Sequence, residues 1–273
     1  MRIFEDRSGL VDGAAVARHR RAVAALFDGY DDRLFVVVDP GRALVGEHAT
    51  RLAGLAKGLE KDLLIALRIG VEGRPAAGEV AWGLPVAVEY APRVRVPRSR
   101  GLDRWLNPEG ARTGARAAAL DRRLSVSGLR AQIRRRPAAE EVRGATVHLA
   151  HAAWVTVDGR SGVLPPFPMP VGVRPAPGRD GSVGQGCHPV LPSSAPRRVT
   201  AALAALASAG RPARLVVDAT AADRRVVDEW AWRIAEGERG VAGLMLDADG
   251  SGVDRAEGVL RVLAAAVRER RHG

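Results

Sequence analysis

Three apolar runs close on a carboxylate: LFVVVDP (34–40) on Asp39, ARLVVDA (213–219) on Asp218, and VAGLMLDAD (241–249) on Asp247, with Asp249 two residues further. Strand ends are where α/β folds place their ligands. There, Asp218, Asp247 and Asp249 could act as general bases or bind an amine or hydroxyl group. Their bland role would be to pair with the chain's many arginines. His188 follows Cys187 at the start of another strand-like run and could reach a pocket mouth. The two make no dyad, because neighbours on a strand point to opposite faces. His148 and His151, three apart in ATVHLAHAAW, suit one face of a helix. No third ligand lies near them, so a structural role is expected. GRDGSVGQG (178–186) lacks the Lys-Ser/Thr ending and the following helix of a phosphate loop, and reads as a plain loop.

The elements that must hold these residues follow from the pattern of apolar positions. After the first run, GEHATRLAGLAKGLEK puts Ala49, Leu52, Leu55, Ala56 and Leu59 on one helical face. ADRRVVDEWAWRIAEGE and VDRAEGVLRVLAAAVRER follow the other two runs in the same way. Continuous apolar strands alternating with helices predict a parallel sheet covered on both faces. Residues 70–100 are rich in Gly, Pro and Arg around LPVAVEY (84–90), which reads as a hairpin or an inserted strand. Between 159 and 198, VLPPFPMPVGVRPAPG and HPVLPSSAP exclude a long helix. No repeat of fixed period is present.

At 273 residues with 47% hydrophobic and 27% charged, the chain has the composition of a globular domain with a sizeable core. No apolar run approaches the roughly 18–20 residues of a membrane span, and MRIFEDRSGL has no signal-peptide h-region. Cys187 is the single cysteine, which excludes an internal disulfide framework and any site of several thiolates. A cytoplasmic protein without a membrane partner is expected. Net charge is +11, and of the 42 basic residues only Lys57 and Lys61 are lysine. Arginine forks suit phosphate and carboxylate, and the lysine shortage removes most lysine-dependent chemistry. Nine arginines lie between Arg93 and Arg123, but Trp105 is the only aromatic platform among them. A solvated face or subunit contact is expected there, and nucleic acid is not an expected partner.

In order along the chain, several segments resemble the type I 3-deoxy-D-arabino-heptulosonate-7-phosphate (DAHP) synthases. AAVARHRRAVAALFDGYDDRLFVVVDPG is similar to the family's helix, DDRL-type turn and strand ending in Gly-Pro-Cys. The likeness continues through HATRLAGLAKGLEKDLLIALRI, RGLDRWLNP, GARAAALDRRLSVSGL, MPVGVRPAPGRDG, GCHPVL, RPARLVVDATAADRR and GERGVAGLMLDAD. It implies a (β/α)8 TIM barrel of the DAHP synthase/class I aldolase type spanning 1–273. Residues 1–30 would be an N-terminal extension and helix, and 70–123 an Arg-rich insertion region. A deletion between 181 and 187 predicts that the helix between strands 5 and 6 is missing. Whether 63–69 or 84–90 is the second strand stays open.

The same resemblance implies a site that has lost its original chemistry. The family binds a divalent metal through Cys, His, Glu and Asp. Here the cysteine position is Gly41, the histidine position Ala221, the glutamate Asp247, and the last aspartate falls at Ala248 or Asp249. Carboxylates without thiolate or imidazole make a poor transition-metal site. Of the residues that meet phosphoenolpyruvate, the Arg…Glu-Lys-Pro-Arg motif becomes Arg68…Glu72-Gly73-Arg74-Pro75, or else ends at Ala91-Pro92-Arg93, without its lysine. Gly-Ala-Arg-Thr-Thr becomes Thr156-Val157-Asp158-Gly159-Arg160, Gly-Phe-Lys-Asn becomes Gly172-Val173-Arg174-Pro175, and a later arginine becomes Pro192.

The expectation is therefore a barrel that makes no DAHP, needs no cofactor and has been repurposed. The reading is a metal-independent cyclase or lyase of specialised, natural-product metabolism. Asp218, Asp247 and Asp158 are the catalytic candidates. Asp39, Arg68, Arg93, Arg160, Arg174, His188 and Asp249 are the ligand-binding candidates for a small organic substrate, which an arginine-lined pocket would allow to be anionic. Asp218 and Asp247 should face arginines, or one should be partly protonated. A homo-oligomer is expected. The second reading is a non-catalytic pseudoenzyme that binds or regulates an active paralogue.

Overall fold

Runs of Val, Leu and Ile bounded by Gly, Pro and Asp form the strands, and the 3.6-residue apolar stripes form the helices between them. The computed structural model describes residues 13–39, 46–70, 83–90, 152–158, 169–174, 187–192, 196–220, 224–247 and 252–273. Helix α1 (Gly13–Asp28) leads into β1 (Leu34–Asp39), then α2 (Gly46–Gly58), β2 (Leu63–Gly70), β3 (Val86–Tyr90), β4 (Ala152–Asp158), β5 (Val171–Arg174) and β6 (Cys187–Pro192). Then come α3 (Pro196–Ser208), β7 (Leu215–Asp218), α4 (Arg224–Ala235), β8 (Val241–Asp247) and α5 (Gly252–His272). The eight strands form a closed barrel in chain order. All neighbours are parallel, and β1 closes on β8 from Phe35↔Gly243 to Asp39↔Asp247. The fold is the expected (β/α)8 barrel.

Strand alternation sorts each run into an outer and an inner row. Val36, Val38, Ile65, Leu67, Leu191, Leu215, Val217, Leu244 and Leu246 pack outward against the helices. Helix α4 meets them with Val227, Trp230, Ala231 and Ile234, spaced three and four apart. Inside are Phe35, Val37, Leu64, Ala66, Ala87, Trp154, Val190, Val216 and Met245, closed at the N-terminal end by Val23, Leu26 and Phe27 of α1. The Trp154 indole stacks on Phe27 at 4.8 Å between ring centroids, meets Phe35 edge-on at 5.4 Å, and donates its Nε1–H to Thr156 Oγ1 at 3.0 Å. Gly172 makes room for it: a Cβ there would lie 2.3 Å from Trp154 Cζ2 and 2.7 Å from Val190 Cγ2.

Two sequence readings change. LPVAVEY is no hairpin or inserted strand: Val86–Tyr90 is the third barrel strand, parallel to β2 and β4. Its alternation reflects small or polar residues facing the barrel interior, not solvent. Both 63–70 and 86–90 are therefore strands, the second and the third. In ATVHLAHAAW, Ala152–Trp154 already belong to β4, while His148 and His151 lie outside the described residues. So do residues 175–186, which hold the GRDGSVGQG loop and the expected missing helix, and the arginines from Arg93 to Arg123.

His188 sits at the start of β6, at the opposite end of the barrel from the strands' C-terminal residues. Its ring stacks on Phe27 at 4.2 Å between centroids, so it closes the barrel floor instead of reaching the mouth. Cys187 beside it faces outward, buried with Val171 and Val173. Burial, with the charge of Arg211 adding to it and a hydrogen bond to the Arg214 backbone opposing, pulls the imidazole down to about 4 from its ordinary 6.5. The folded protein thus holds it neutral while the unfolded chain takes up a proton below 6.5. Stability that is fully present above pH 6.5 should be lost progressively as pH falls through about 4. His19, whose imidazole is also lowered by burial and by Arg18, shares that direction. Comparing the pH dependence of the melting temperature in the wild type and His188→Phe isolates the contribution of His188. Parallel curves would refute it.

Candidate functional site at the C-terminal mouth

The inner row continues past the apolar layer to the strand C-termini, where the side chains become charged. Two residues after Val37, Asp39 ends β1; two after Ala66 on β2 comes Arg68; two after Ala87 on β3 comes Glu89; and Arg174 and Asp218 end β5 and β7. Alternation therefore aims all five the same way, on top of the aromatic floor. Asp39 Oδ2 accepts a hydrogen bond from Arg68 Nη1 at 2.7 Å, and Arg68 Nη2 donates to Glu89 Oε2. The other oxygen of Glu89 accepts from Arg174 Nη1. Arg174 Nη2 and Nε donate to Asp218 Oδ2 at 2.9 and 3.3 Å. Asp218 Oδ1 finally accepts from the Thr220 hydroxyl at 2.6 Å and from its backbone N–H at 3.2 Å. Charges of alternating sign thus run unbroken across the mouth, from Asp39 through Arg68, Glu89 and Arg174 to Asp218.

These side chains are 17–30% exposed, so the pairs are partly desolvated but open to a ligand. Burial would raise the Asp218 carboxyl, but the Thr220 hydroxyl and the charge and hydrogen bonds of Arg174 outweigh it and hold the group below the ordinary carboxylate range. Asp218 is therefore ionised at neutral pH. The partial protonation considered for it does not occur, because its nearest charge is a cation. Asp247 lies at the exposed end of β8 with its backbone beside Asp39. There it borders a cavity of about 30 Å³ together with Arg224. Asp158 ends β4 and its backbone pairs with Arg174. Arg93, Arg160 and Asp249 lie outside the described residues, as do Gly41 and Ala221.

Glu89 and Thr220 were not among the sequence candidates. Glu89 carried the signal used for Asp39, Asp218 and Asp247, an acid near the end of an apolar run, but LPVAVEY was left between a hairpin, an inserted strand and the second barrel strand, and its acid was not singled out. Thr220 had only the Asp-x-Thr spacing, in which a side-chain oxygen commonly accepts from the backbone two residues on.

Among the described residues no group of three or more His, Cys, Asp and Glu side chains has an arrangement that could hold a metal ion. Asp39, next to Asp247, is instead engaged by Arg68.

Fold and site together define a (β/α)8 barrel with a salt-bridged mouth. No protein-family model matches the chain, and no curated protein sequence does. Among solved structures, the phospho-2-dehydro-3-deoxyheptonate aldolase of Francisella tularensis SCHU S4 is similar. Its TM-score is 0.61 at 16% identity, covering 95% of this chain and 93% of that one. A truncated 3-deoxy-D-arabino-heptulosonate 7-phosphate synthase from Thermotoga maritima aligns with a TM-score of 0.45 at 10% identity, over 89% of this chain and 87% of that one. At 16% identity the first likeness bears on the fold alone: the barrel is DAHP-synthase-like. No helix among the described residues is long and apolar enough to cross a membrane.

Proposed function

We propose that the barrel binds a small polar organic molecule at its C-terminal mouth and acts on it with its own side chains, as a metal-independent lyase or cyclase of specialised metabolism. The observation that carries this reading is the run of ion pairs from Asp39 to Asp218. Both arginine forks already meet carboxylates, with Glu89 shared between them. A phosphate ester would have to displace a carboxylate to reach the guanidinium of Arg68 or Arg174. The carboxylates Asp39, Glu89, Asp218 and Asp247 outnumber Arg68 and Arg174, which favours a hydroxyl- or amine-bearing ligand over a multiply charged anion. Asp39 and Asp247 supply acid–base groups near one another, while the paired arginines and Asp218 orient the ligand.

The experiment has two arms. Purified protein with phosphoenolpyruvate, erythrose 4-phosphate and Mn²⁺ should form no DAHP above a vector control; product would overturn the proposal. Small molecules that co-purify with the protein are then identified by mass spectrometry, and retention is compared with Asp218→Asn. A loss of at least about tenfold, roughly 1.4 kcal/mol, is expected.

The closed pairing of Arg68 and Arg174 also favours a second reading, a barrel kept for binding a paralogue, because both of these guanidinium groups are already taken up by carboxylates. Unchanged ligand retention in Asp218→Asn and Asp247→Asn, together with altered turnover of an intact DAHP synthase on mixing, would put that reading first.

A further inference from the structure

The opposite end of the barrel holds a second charged cluster, in which arginines outnumber the acids that line it. Arg214 precedes β7, Arg239 precedes β8, and Arg270 and Arg271 end α5. All four line a cavity of about 70 Å³ together with Gly29 and Asp32. Arg270 is 7% exposed, and among the described residues its guanidinium donates to backbone carbonyls, those of Glu238 at 3.3 Å and of Asp32. Arg271 takes up Asp32 through Nε at 2.6 Å and Nη2 at 2.8 Å, and Asp62 through Nη1 at 2.8 Å. Among the described residues, neither Arg214 nor Arg239 has a carboxylate in ion-pair contact. Gly29, at φ +86° after α1, leaves the space that Arg214 enters: a Cβ there would lie 3.3 Å from Arg214 Nη2.

The cavity lining sets four arginines against one carboxylate, Asp32, which Arg271 already engages. The Arg270 and Arg214 guanidinium groups are both pushed down, first by burial and then partly by neighbouring arginines, with Asp32 and Glu238 opposing. Like charges gathered around a desolvated void are stabilised by whatever anion fills it. A void of this size holds a few waters or one tetrahedral oxyanion, not a nucleotide.

We propose that the cavity between Gly29, Arg214, Arg239 and Arg270 is a binding site for a small oxyanion, inorganic phosphate or the phosphate group of a small metabolite. Arg214 and Arg239 line the cavity without a carboxylate in ion-pair contact among the described residues, and a guanidinium fork suits the oxygens of a phosphate. The site is separate from the mouth and does not depend on what binds there.

The test titrates sodium phosphate against sodium chloride at constant ionic strength, pH 7, following the melting temperature and binding heat of the full chain. Phosphate should raise the melting temperature saturably and chloride should not. Arg239→Ala removes an exposed side chain outside the core and should weaken phosphate at least about tenfold; Arg214→Met should do the same. Arg68→Met at the mouth should bind phosphate as the wild type does. Glycerol 3-phosphate binding more tightly than phosphate would mark a metabolite headgroup as the natural occupant, and weaker binding the free ion. No saturable effect beyond chloride, or unchanged affinity in both Arg239→Ala and Arg214→Met, would overturn the proposal.

Discussion

Truncating Trp154 to alanine is expected to lower the free energy of unfolding by about 3–5 kcal/mol, the usual range for a fully buried large aromatic. The indole is 0% exposed at the barrel axis and touches rings from α1 and β1. Its removal leaves a void that neighbouring strands cannot close, because hydrogen-bonded strands hold their spacing. It also takes away the donor to Thr156, which is 2% exposed. At about 2–4 °C per kcal/mol for a domain of this size, the melting temperature should fall by about 10 °C. Urea denaturation followed by circular dichroism measures it, and a loss below about 1 kcal/mol would show that the interior collapses around the gap. Gly172→Ala gives the converse check. Its Cβ would overlap Trp154, so it should destabilise the wild type but be better tolerated in a Trp154→Phe background.

Replacing Arg68 by methionine is expected to cost about 2–3 kcal/mol and to abolish ligand retention at the mouth. Arg68 is the only cation among the described residues that joins Asp39 to Glu89, and its own side chain is 17% exposed. Removing one partner of a fully buried pair costs about 3–5 kcal/mol, because the remaining charge is left without compensation. Partial solvent access at Asp39 and Glu89 trims that figure. Glu89→Gln in the same chain should restore part of the loss, since it neutralises one of the stranded acids and still accepts from Arg174. The double-mutant cycle reads this as a coupling. Additive effects would mean that the two side chains do not depend on each other. A wild-type midpoint for Arg68→Met alone would mean that water replaces the guanidinium at no cost.

The barrel was legible where strands were long and uniformly apolar. LFVVVD, LVVD and VAGLMLD are buried on both faces, and no other element type offers that pattern with a helix after it. β3 was obscured because Ala87 and Glu89 fill the narrow interior while Val86 and Val88 pack outward, which imitates a half-exposed hairpin. With 84–90 left between a hairpin, an inserted strand and the second barrel strand, Glu89, the hinge of the ion-pair run, was not picked out. His188 was misjudged from its position beside Cys187, since nothing local shows that Phe27, far earlier in the chain, will cover it. The arginine-lined cavity at the N-terminal end could not be read at all. Its residues come from the ends of α1, α5 and the approaches to β7 and β8, and only closure of the barrel gathers them.

The pairing of β1 with β8 has a consequence during synthesis. β1 is complete once residue 39 has left the ribosome, but its second neighbour is complete only at residue 247. At about 5–20 residues per second, the interval is roughly 10–40 s. Through that time the Phe35-to-Asp39 edge presents unpaired amide and carbonyl groups on a strand of Phe and Val, a template for another nascent chain. The chain should therefore depend on a holding chaperone while it is being made, and yields of folded protein should rise at lower temperature or with slower initiation. Once β8 docks, that exposed edge disappears and the dependence ends.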